Sequence, residues 1–127
     1  MALRTLLAII ATLASVAAAA AEPDGAKLFV SHCAACHGAM GEGDGPVAAS
    51  MAIDVPSLRT LAMRNGGVFP EDAVAAYIDG REPRAAHGYR QMPVWGDVFI
   101  VTERGEEDVV AARIKILVWF IAELQYR

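Results

Sequence analysis

The chain has only two cysteines, at positions 33 and 36, so no second Cys pair exists to close a structural zinc site. It has three histidines, His32, His37 and His87, which leaves few nitrogen donors for any metal. Basic residues are outnumbered, eleven against fifteen acidic ones, which argues against nucleic acid or an anionic membrane surface as a partner. After the first 21 residues no long uncharged apolar run remains, and no alternating strand pattern stands out. We find no internal repeat and no low-complexity tract in that part of the chain.

What is present centres on Cys33-Ala34-Ala35-Cys36-His37. Two cysteines two residues apart, followed at once by histidine, form the attachment signature for c-type haem. Each thiol adds across one porphyrin vinyl group, and the two intervening residues let one backbone turn span both vinyls. The histidine then offers an imidazole nitrogen to the iron. A redox Cys-x-x-Cys pair is disfavoured because no strand and no βαβ pattern surround it. A disulfide between Cys33 and Cys36 would leave His37 unexplained.

The N-terminus supplies a context. Arg4 precedes an apolar run from Leu6 to Ala21 that ends in five alanines before Glu22-Pro23, the pattern of a secretory signal peptide. The rival, an uncleaved membrane anchor, is disfavoured because the run falls short of the ~20 residues a bilayer requires. The expected organisation is a signal peptide over residues 1–21 and a haem domain over residues 22–127, exported to the periplasm. Cleavage after Ala21 leaves 106 residues, ten basic and fifteen acidic, net −5. That length suits one domain. No stable membrane insertion is expected after cleavage.

Helical signals follow. Asp24 is placed to cap a helix from Gly25 towards His32, with Leu28 and Phe29 inward. The glycine-rich stretch from Gly38 to Pro46 requires sharp bends close to another group. Ser57 caps a short helix that Gly66-Gly67 closes, and Pro70, Glu71 and Asp72 open another that Gly80 ends. In that helix Val74, Tyr77 and Ile78 form the expected inward stripe. The strongest pattern is C-terminal: Val110, Ile114, Leu117, Ile121 and Leu124 recur at three- and four-residue steps, and Ile116, Trp119 and Phe120 widen the face. Arg113, Lys115 and Glu123 exclude a membrane-spanning tail. The fold class is all-α, with three to five short helices.

Four methionines beyond residue 21 compete to be the second axial ligand. Met40 is three residues from His37 and cannot reach round to the opposite haem face. Met63 lies in the short helix, where a Met more often fills core. Met51, near a turn, stays open. Met92 is favoured, because Pro93 holds it extended and it is far enough along the chain to return over the other face. His87 is the chief rival. Trp95 and Gly96 offer a flat ring and a tight turn beside the pocket, and His32 is read as a surface residue.

Together Asp24-Gly25 with Phe29, the Cys33–His37 motif with Gly38, Gly43-Asp44-Gly45-Pro46, Met92-Pro93-Val94-Trp95-Gly96 and the C-terminal helix resemble the class I c-type cytochromes, small single-haem electron carriers. The resemblance implies a cytochrome c-like fold around one covalent haem c, with the N- and C-terminal helices crossing and Gly25 and Phe29 meeting the last helix. It also implies that the Pro46 carbonyl accepts a hydrogen bond from His37. The function implied is one-electron transfer between redox protein partners, a donor dehydrogenase or cytochrome complex and an acceptor oxidase or reductase, without autonomous catalysis. A dedicated haem subunit of a dehydrogenase or oxidase is the alternative, and a gas-sensing haem protein a weaker one. Arg81, Arg84 and Arg90 fall outside the family pattern. They read either as a docking patch or as partners of haem propionates and neighbouring carboxylates.

Overall fold

The computed structural model describes residues 24–82, 90–102 and 104–126. The expected signal peptide, His87 and Arg84 lie outside them. Asp24 accepts a hydrogen bond from the Ala26 amide at 2.9 Å and so caps α1, Gly25–His32. Leu28 and Phe29 are its buried residues. Cys33 closes α1 through its amide to the Phe29 carbonyl and starts the single turn α2, Ala34–His37.

Gly38 ends α2 at φ 77°, a conformation glycine adopts without a Cβ penalty. The loop beyond it is pinned by the Leu58 amide, which donates to the Gly41 carbonyl at 2.7 Å. Ser57 then caps a 3₁₀ turn, Leu58–Thr60, that runs into α3, Leu61–Arg64. Next come α4, Glu71–Asp79, ended by a left-handed Gly80, then α5, Trp95–Thr102, and α6, Glu107–Glu123. All secondary structure among the described residues is helical.

α6 organises the core. Val110, Ile114, Leu117 and Ile121 are buried, as their spacing predicts, and Val118 joins them. α1 crosses it closely. A Cβ on Gly25 would lie 3.0 Å from the Phe120 Cβ and 3.1 Å from the Ile116 carbonyl oxygen, so a larger residue would force the helices apart by a few tenths of an ångström. The Phe29 and Phe120 rings meet with centroids 5.2 Å apart. α4 contributes Ile78 and α5 contributes Phe99 to the same core.

Four expectations need correction. Tyr77 is exposed on α4, with the Arg90 guanidinium over its ring. Trp119 is exposed, its face covered by Lys115. Trp95 and Gly96 open a helix where a turn was expected, and buried Gly96 leaves room for the Asp79–Arg81 pair. His32 is half-buried against Trp95 and Phe99.

Candidate haem site

Both thiols are free, Cys33 buried at the α1–α2 junction and Cys36 half-buried in α2. Burial pushes the Cys33 thiol up to about 12, with Cys36 as a smaller second cause. The thiol is therefore held protonated in the folded chain. Among the described residues no three His, Cys, Asp or Glu converge to hold a metal ion.

His37 ends α2 with its ring fixed. Its Nδ1 donates to the Pro56 carbonyl at 3.3 Å, which leaves Nε2 as the nitrogen free to ligate. Burial lowers the His37 pKa, and the hydrogen bond to Pro56 offsets only part of that. The neutral imidazole is the ligating form. This carbonyl corrects the expectation placed on Pro46. Pro46 is exposed, and its neighbours bind α2 instead, the Gly45 amide to the Cys36 carbonyl at 3.1 Å and the Val47 amide to the Ala35 carbonyl at 3.0 Å. A Cβ on Gly45 would strike the Ala34 and Ala35 carbonyls, so glycine is required where the loop crosses α2.

Met92 is half-buried and packs against the core. With Met51, Arg90 and Val94 it lines an open cavity of about 690 Å³. Trp95 is not among its lining residues, and its ring stacks on Phe99 with centroids 5.7 Å apart. Met40 and Met63 are exposed. A larger groove, about 1070 Å³ between α4 and α6, holds none of the candidate ligands.

A family profile described as cytochrome c oxidase, cbb3-type, subunit III matches residues 20–111, well over half of the chain. The chain belongs to that family. No curated protein and no solved structure gave a match. As a c-type cytochrome domain it carries covalently bound haem c, and its residues fit that group: two unpaired thiols on one turn, followed by an imidazole with its second nitrogen already engaged. The cytochrome's helices agree with the all-α fold expected of it.

Sequence reasoning missed Pro56 because nothing local distinguishes it from Pro46. The signal lies in loop closure, since the Leu58–Gly41 hydrogen bond brings the 55–57 segment back over α2. Of the three arginines, Arg81 pairs with carboxylates, Asp79 at 2.7 Å and Glu107 at 2.9 Å, while Arg90 binds backbone carbonyls and Arg84 lies outside the described residues.

The aromatic seat of His32 has a pH consequence. Burial first, then the charge of Arg113, lowers its pKa from the ordinary 6.5. The unfolded chain therefore binds the proton more readily, so this contribution to stability is complete above pH 6.5 and is lost as pH falls through the lowered value. Ring titration by NMR should place His32 below 6.5, and Arg113→Gln should move it upward. A His32 titration at or above the ordinary value contradicts the buried seat.

Proposed function

We propose that this c-type cytochrome carries a single haem, attached through Cys33 and Cys36 and ligated by His37 and Met92, and that it passes one electron at a time between redox proteins in the periplasm. The observation that carries this reading is the fixed His37 ring, its Nδ1 held by Pro56 beside two free thiols. When bound, the haem supplies a ferric–ferrous couple whose potential a thioether ligand raises. The chain does the rest. Cys33 and Cys36 would anchor the haem, and His37 and Met92 would ligate its iron. With no open position for substrate, autonomous catalysis is not expected. Pairing by the same two ligands is what the class I cytochromes share, and the chain is read as one of them.

The family description favours a second reading, a haem-bearing subunit of an oxidase complex. Among the described residues no helix is long and apolar enough to cross a membrane. Co-purification separates the two: a free carrier elutes alone, whereas a subunit stays with a catalytic chain.

Mass spectrometry of protein made with haem-attachment machinery should show one haem and loss of residues 1–21 or 1–20. An intact N-terminus in the membrane fraction would replace the signal peptide with an anchor. Two haems per chain, or none, would overturn the single-haem reading.

A further inference from the structure

We infer that Arg90 is a positioning residue that fastens the Met92–Pro93 turn to the end of α4 and so holds the Met92 thioether in place; the inference rests on the reading of Met92 as sixth ligand. Its Nε donates to the Met92 carbonyl at 2.8 Å, and its Nη2 donates to the Pro93 carbonyl at 3.1 Å and to the Tyr77 carbonyl. The guanidinium also lies 4.7 Å over the Tyr77 ring centroid.

Tyr77 is in the last turn of α4, and its carbonyl accepts from Arg90. The amide that would continue the helix, that of Arg81, donates instead to Asp79 Oδ1 at 3.2 Å. Among the described residues no backbone–backbone hydrogen bond engages residues 90–93, so the side chain of Arg90 supplies the tether that regular structure does not. Pro93 has no amide hydrogen to offer. Gly80 makes the geometry possible. It takes the left-handed conformation at φ 70°, and a Cβ there would lie 2.8 Å from the guanidinium carbon and Nη2 of Arg90.

The planar fork of arginine serves three carbonyls and one ring at once, which the single ammonium of lysine cannot do. A loop held this way presents its thioether without first losing conformational freedom. Without the tether, an added ligand competes more easily for the iron.

The test uses the holoprotein and exogenous imidazole. Arg90→Gln should bind imidazole in the ferric state about tenfold more tightly, a difference of ~1.4 kcal/mol. Its thioether charge-transfer band should weaken and its potential fall, with the haem still covalently attached. Arg90→Lys should lie between it and the wild type. Wild-type imidazole affinity, band and potential in Arg90→Gln would overturn the inference, whatever happens to its Tm. Met92→Ala separates the two readings. If the band persists there, the ligand assignment fails. If it vanishes there while Arg90→Gln matches the wild type, only the tether fails. Should Arg90→Gln yield no holoprotein, Tyr77→Leu removes the ring beneath the guanidinium and keeps the carbonyl. It should shift imidazole affinity in the same direction by a smaller factor, and no shift would reject the tether.

Discussion

Met92→Ala is expected to abolish the near-infrared thioether charge-transfer band, lower the reduction potential and let the reduced protein bind carbon monoxide, while both thioether links stay intact. The reasoning starts from placement. Met92 is half-buried, packs on the core and faces the same cavity as Met51, while Met40 and Met63 are exposed. Pro93 prevents the segment from joining a regular helix before α5 begins at Trp95. Alanine keeps the backbone but offers no donor atom, so an iron ligated by Met92 would be left open to an added ligand. Thioether ligation favours ferrous iron, and its loss lowers the potential. Absorption and redox titration check both effects. A band that survives in Met92→Ala and disappears in Met51→Ala would transfer the role to Met51.

Phe29→Ala should destabilise the fold by about 3–5 kcal/mol. The ring is fully buried and meets Phe120 where α1 crosses α6. Its removal leaves a void that α1 and α6 cannot collapse into, because Gly25 already sets their backbones at contact distance. Against a total stability of roughly 5–15 kcal/mol, that is a large share. Thermal unfolding followed by far-UV circular dichroism should show Tm lower by on the order of 15–30 °C. Trp119→Ala, at an exposed ring on the same helix, should cost less than about 1 kcal/mol. Equal losses at the two sites would mean that the core is not where the crossing puts it.

Much of this arrangement was legible in the sequence, and the reasons are physical. α1 carries its Asp24 cap, α4 its terminating Gly80 and α6 its acidic first turn, all with repeating apolar positions, signals set by neighbours a few residues away. The haem motif is legible because attachment chemistry fixes its spacing. α5 was not. Its Val98-Phe99-Ile100-Val101 run is apolar throughout, so no stripe shows that Phe99 is buried while Val101 is exposed. The contacts of Pro56 and Arg90 were missed for a different reason. Both act through contacts with residues far along the chain, His37 for the one and Tyr77 for the other. Glu42 is a further case: it accepts hydrogen bonds from Arg59 at 2.8 Å and from the Tyr126 hydroxyl at 2.8 Å, joining the glycine-rich loop to the last residues described. Local periodicity carries no trace of such closures.

The crossing of α1 and α6 also sets an order of events during biosynthesis. Phe29 and Phe120 are separated by about ninety residues, and closing so long a loop before other contacts form is entropically slow. A chain made from its N-terminus presents the Cys33–His37 turn long before α6 exists to cover it. Cys33 is buried in the finished fold, so its thiol is most accessible to a modifying enzyme in that interval. Chain closure then acts as a timer on maturation. Variants that hasten the docking of α6 should lower the yield of fully attached protein, and variants that delay it should spare attachment at the cost of a longer-lived open chain.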